Sequence, residues 1–224
     1  MEIRKNIKDN EFNLSLSDHY LDYFIKSYNF VQKHYKEDFD RIANTKFQNI
    51  DPLFFFREYV WVCCASGFNA GVVSGFFPSL LTALEPLSEI ILKNDQGVDI
   101  AKVKEQALKI FNSTRKIDAI IKTAQILGEN IQRFGWETYR NKHLNCAAQL
   151  TVFPYIGNTT CQHLGRNIGL KDKVKPDIHL MRLAKNWGFA CPDDMCARVK
   201  EKYDMDTGLI DLIFWYGASS TGTK

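Results

Sequence analysis

Apolar positions recur at steps of three and four along most of the chain, and no stretch sustains a period of two. From Leu14 to about Ala43, the residues Tyr20, Phe24, Tyr28, Val31 and Tyr35 form one stripe, which predicts one or two amphipathic helices. Phe54 to Cys64 reads as a strongly apolar helix, broken by Gly67-Phe68-Asn69-Ala70-Gly71 before Val72 to Leu84. Asp99 to Asn112 and Arg115 to Leu127 follow by periodicity, with the cap-forming Asn112-Ser113-Thr114 between them. Leu144, Ala147, Ala148 and Leu150 give an apolar face to a helix from Trp136 to Leu150. Further helices are predicted from Asn158 to about Ile168 and from Ile178 to Trp187, the latter ended by Gly188. The pattern is all-α, with no low-complexity tract, long linker or convincing repeat.

Two connections between these helices carry candidate chemistry. In Phe153-Pro154-Tyr155-Ile156-Gly157-Asn158-Thr159-Thr160-Cys161, Pro154 cannot extend the preceding helix, Gly157 permits positive φ, and Asn158 is placed to cap the next helix. The N–H groups that open such a helix point outward and suit a phosphate oxygen whatever the base sequence. Downstream, Pro176-Asp177-Ile178-His179-Leu180-Met181-Arg182 sets a carboxylate at a helix start. An Asp there is most often only a cap. Its fixed distance downstream of the hairpin gives it a second reading: a catalytic acid coupled to a DNA-backbone grip.

Together these residues resemble the helix-hairpin-helix DNA glycosylase superfamily, closest to the cluster-free 8-oxoguanine branch. Phe153, Pro154, Ile156, Gly157, Thr160 and Cys161 fill its hairpin pattern, and Pro176, Asp177, His179 and Arg182 its catalytic-Asp pattern. The resemblance implies a single unit spanning residues 1–224, made of two helical lobes with the active-site cleft between them. Within it the helix-hairpin-helix occupies about 136–168 and the catalytic-Asp segment 176–188. It implies Asp177 as the catalytic residue, and DNA-backbone contacts from Tyr155, Gly157, Asn158, Thr159, Thr160, Lys175, His179 and Arg182. His179 and Arg182 would orient Asp177, touch phosphate, or simply be solvated.

Two departures matter. Tyr155 replaces the first hairpin glycine, which bears on any phosphate contact or structural monovalent cation there. Thr159 stands eighteen residues before Asp177, where lyase-active members carry lysine. Threonine offers no amine for a Schiff base, so a monofunctional, water-using enzyme that leaves an abasic site is expected. Substrate expectations are a glucosylated hydroxymethylcytosine of phage DNA, serving antiviral defence, or an oxidised purine. An 8-oxoguanine repair enzyme, a noncatalytic DNA-binding module and a general soluble helical interaction protein without salt-dependent DNA affinity are the alternatives.

Base flipping needs a wedge and a pocket. Phe68 and Asn69, in the Ser66-Gly67-Phe68-Asn69 turn, are wedge candidates, or else an ordinary helix–helix turn. Trp136, Tyr139, Trp187, Phe189, Trp215 and Tyr216 are available as pocket walls or core, and Asp211 faces the pocket or caps the last helix.

Composition changes little. The 224 residues, 45% hydrophobic and 13% aromatic, are ample for an ordered core. A formal charge of +3 neither demands nor excludes double-stranded DNA as partner, but Lys171, Lys173 and Lys175 cluster before Asp177, as a phosphate contact or a solvated loop. Met1-Glu2-Ile3-Arg4-Lys5-Asn6 lacks a signal-peptide core, and Gly67, Asn69, Ser74 and Pro78 interrupt the most apolar region. The expectation is a cytoplasmic monomer that does not engage a membrane. Only Cys191 and Cys196 lie near the carboxyl end, so no iron-sulfur cluster, no catalytic metal and no other cofactor is expected.

Overall fold

A computed structural model describes residues 19–172 and 174–220; Leu14, the amino-terminal Met1 to Asn6 and Lys173 lie outside the described residues. The described residues form α-helices and short 3-10 turns, with no strand among them, in two compact units.

The discontinuous unit holds residues 19–45 and 169–220 of the described chain. It contains α1 (His19–His34), α2 (Lys36–Asn44), α10 (Ile178–Asn186), α11 (Pro192–Tyr203) and α12 (Thr207–Ser220). The long amino-terminal stripe splits at Tyr35, whose φ of −136° is not helical. Its apolar face becomes core: Phe24 is fully buried against Phe214 at 5.5 Å and Tyr203 at 5.4 Å. Each such buried ring contributes roughly 1.5–3 kcal/mol. Helix α11 begins at Pro192 with Asp193 and Asp194 in its first turn, a start signal that the periodicity reading passed over.

The continuous unit, Lys46–Ile168, contains α3 (Pro52–Ala65), α4 (Ala70–Leu84), α5 (Leu87–Lys93), α6 (Ile100–Ile110), α7 (Thr114–Phe134), α8 (Trp136–His143) and α9 (Asn158–Asn167). Asp51 caps α3 by accepting from Phe54 N at 2.7 Å, and Asp99 caps α6 through Lys102 N at 3.0 Å. Helix α5 was not anticipated. It packs on α7 at Gly128, where a Cβ would stand 2.3 Å from the carbonyl oxygen of Ile90. No single described helix is long and apolar enough to cross a membrane; only α4 and α5, bent by 61°, would pass as a pair by length and composition.

The segment before the hairpin differs from expectation. Instead of one helix to Leu150, α8 stops at His143, Leu144 leaves helical geometry at φ −130°, and a 3-10 turn covers Ala147–Val152. The reason lies in the spacing. Leu144, Ala147, Leu150 and Phe153 fall every three residues and all four are buried, which suits the three-residue period of a 3-10 turn better than an α-helix. Ala148, part of the predicted stripe, is exposed.

Candidate functional site

In the continuous unit, Ile156 N donates to Phe153 O at 3.1 Å, closing a four-residue turn with Pro154 second and Tyr155 third. Proline fixes the second residue at negative φ, and Tyr155 takes φ +63°, so the turn is type II. The left-handed position is therefore Tyr155, not Gly157, which is extended at φ −103°, ψ −172°. Gly157, rather than Asn158, also occupies the cap position, and Asn158 is the first residue of α9. The capping side chain is that of Thr160, which accepts from Gly157 N at 2.7 Å. Tyr155, Gly157, Asn158 and Thr159 are exposed and Thr160 is half-buried. The opening N–H groups of α9, at Asn158, Thr159 and Thr160, lack partners within the helix by construction.

The hairpin is anchored by residues that the sequence reading did not single out. Tyr59 of α3, fully buried, directs its hydroxyl to Pro154 O at 2.8 Å and lies 3.3 Å from Ala119 O. The far end of α9 is held by Asn167, whose amide donates to buried Glu58 at 3.0 Å, while Arg57 pairs with the other oxygen of Glu58. Tyr59 and Glu58 sit inside a run of apolar residues, where periodicity reads both as ordinary helix positions. The carbonyls of Phe153, Pro154, Tyr155 and Gly157 each accept a hydrogen bond from the protein.

Asp177 belongs to the discontinuous unit. It caps α10, with Oδ1 accepting from His179 N at 3.0 Å and Leu180 N at 3.1 Å, while Oδ2 faces the ammonium of Lys175 at 3.5 Å. Lys175 N donates to Oδ2 of Asp211 at 3.1 Å. Asp211 is only 1% exposed, so its carboxylate is neither solvated nor an end cap; it secures the segment leading into Asp177. His179 is half-buried and Arg182 exposed one turn along. Lys171 turns away from the expected basic cluster, donating to Ala43 O at 2.5 Å at the end of α2.

The remaining candidates divide clearly. Asn69 caps α4 by accepting from Gly71 N at 2.8 Å, whereas Phe68 is exposed. Trp136 donates its indole N–H to Ile50 O at 2.8 Å and meets Phe55 edge-on, which commits it to the body of its own unit. Tyr139 is buried, and burial pushes its hydroxyl up to about 12. Trp187, Phe189, Trp215 and Tyr216 pack against or within the aromatic core around α1 and α12. Among the described residues no group of three or more His, Cys, Asp or Glu side chains is disposed to hold a metal ion.

No family model matches the chain, and neither does any curated protein. Among solved structures it is similar to the crystal structure of Methanocaldococcus jannaschii 8-oxoguanine glycosylase/lyase in complex with a 15mer DNA containing 8-oxoguanine. The two share 17% identity and a TM-score of 0.56 over 89% of this chain and 98% of that one. The likeness establishes a shared all-α fold.

Proposed function

We propose that this protein is a monofunctional DNA glycosylase that flips a modified or damaged base out of duplex DNA and hydrolyses its N-glycosidic bond. The observation that carries this is Asp177. One carboxylate oxygen is pinned by two backbone N–H groups while the other lies 3.5 Å from the Lys175 ammonium, and the fold is one used by a glycosylase/lyase seen with DNA. In the proposed reaction the C1′–N bond breaks with its electron pair going to the base. Asp177 stabilises the resulting positive charge on the sugar and takes a proton from the water that bonds to C1′. The base receives a proton from solvent. Thr159 supplies no amine, so the reaction ends at an abasic site with the backbone intact. The exposed start of α9 grips a phosphate, and Phe68, rather than the committed Asn69, fills the gap left by the extruded base.

An oxidised purine is favoured as substrate by the fold neighbour. A hypermodified base such as glucosylated hydroxymethylcytosine of phage DNA, giving antiviral defence, is favoured by the loss of the amine at Thr159. The test incubates the protein with a panel of lesion duplexes and intact modified phage genomes, then heats in alkali and looks for strand breaks. Wild type should yield breaks only after alkali. Asp177→Asn should lower the rate by about 10²–10³-fold while keeping DNA affinity. Unchanged activity in Asp177→Asn, or none on any substrate, would defeat the reading; mass spectrometry of the released base names the substrate.

A further inference from the structure

Lys116 of α7 is only 6% exposed. Its ammonium donates to Cys64 O at 3.0 Å and Ser66 O at 2.6 Å, carbonyls at the end of α3. The Phe68 ring centroid lies 4.4 Å from that nitrogen and the Phe111 centroid 5.7 Å. Phe68 meets Phe111 edge-on at 5.4 Å, and Phe76 stacks on Phe111 at 4.9 Å. A lysine needed only to satisfy the end of a helix keeps its charge in water. This one is sealed beneath aromatic rings, and its burial pushes its pKa below the usual lysine range, a penalty that the carbonyls and the ring faces offset in part.

The ring it holds is the opposite case. Phe68 stays 48% exposed, although a phenyl side chain ordinarily goes inside. Its backbone is restrained on both sides: Phe68 N donates to Ala65 O at 3.1 Å, Gly67 takes φ +75°, and Asn69 caps α4. A buried cation therefore fixes an exposed ring in place.

We propose that Lys116 is a positioning residue whose ammonium holds Phe68 as a preformed aromatic tip, and that the tip's partner is the base stack of duplex DNA. The choice of partner rests on the glycosylase reading. The ammonium and Phe111 occupy part of the Phe68 ring, and the solvent-facing remainder is available to a base. Because the ring is ordered beforehand, insertion loses less rotamer freedom. Stacking of one base on such a ring is worth about 10- to 100-fold in affinity.

The test uses the full chain and a duplex carrying a tetrahydrofuran abasic analogue next to 2-aminopurine, whose fluorescence rises when the inserted ring kinks the duplex and unstacks it from its remaining base neighbour. This site offers no glycosidic bond to cleave. Wild type should raise the fluorescence. Phe68→Ala and Phe68→Leu should remove most of the rise and weaken binding to this duplex about 10- to 100-fold, with undamaged-duplex affinity at low salt changed less than about threefold. Lys116→Met should reproduce Phe68→Ala, the double variant should be no weaker than either single one, and Lys116→Arg should restore most of the signal. A full rise in Phe68→Leu, multiplied losses in the double variant, or no rise in wild type overturns the proposal. Phe68→Leu alters an exposed ring, so its answer stands even if Lys116→Met does not fold. A protein that responds here but releases no base from any substrate refutes the glycosylase reading alone. Base release at the wild-type rate by Phe68→Ala refutes this inference alone.

Discussion

Tyr155 occupies the third position of a type II turn at φ +63°, a place that favours glycine. The left-handed penalty for a non-glycine residue, about 1–2 kcal/mol, exceeds the extra backbone entropy that glycine loses on folding, about 0.5–1 kcal/mol. Tyr155→Gly should therefore raise stability by up to about 1.5 kcal/mol, read from the denaturant midpoint; Tyr155→Val should lower it. Thr159 gives a gain-of-function counterpart. If its position is that of the missing amine, Thr159→Lys should create an adduct with substrate DNA that borohydride traps, whereas wild type forms none. Both residues were legible as departures from the hairpin pattern. The strain at Tyr155 was not, because the sequence places a glycine two residues later and the eye assigns the positive φ to it.

The hairpin owes its shape to its neighbours as much as to its own residues. Tyr59→Phe removes the hydroxyl that serves the part-buried Pro154 O, at a cost of about 0.5–1.5 kcal/mol in thermal or chemical unfolding. Because the lost bond holds the turn, salt-dependent DNA affinity should fall in the same variant. Where α5 crosses α7, Gly128→Ala forces a methyl group against the Ile90 carbonyl and should destabilise by about 1–3 kcal/mol, since backbone cannot yield as a side-chain end can. Helix existence was mostly evident from apolar spacing. Helix ends and the 3-10 turn were not, since steps of three satisfy an α-helical pattern over short stretches and only burial of every third residue, from Leu144 to Phe153, separates the two.

For the molecule as a whole, the vicinal cysteines of α3 set an alkaline limit. Both are fully buried, and desolvation pushes Cys63 up to about 11 and Cys64 up to about 12 from an ordinary value of 9.0. A folded pKa above the unfolded one gives a contribution that is complete below pH 9 and lost as pH rises through the folded values. Unfolding midpoints should thus fall steeply between pH 9 and about 12, and less steeply for Cys63→Ala/Cys64→Ala from its lower starting stability. The chain alone determines what is local: an all-helical pattern, the stop at Pro154, a threonine rather than an amine-bearing residue at 159, and Asp177 at the head of a helix. Each follows from residue type and spacing, which act over a few bonds. The pairing of Tyr59 with a carbonyl 95 residues away, the burial of Lys116 beneath Phe68, and the placing of Asp211 behind Lys175 belong to tertiary structure. Such contacts join single atoms from distant segments, and they leave no periodic trace along the chain.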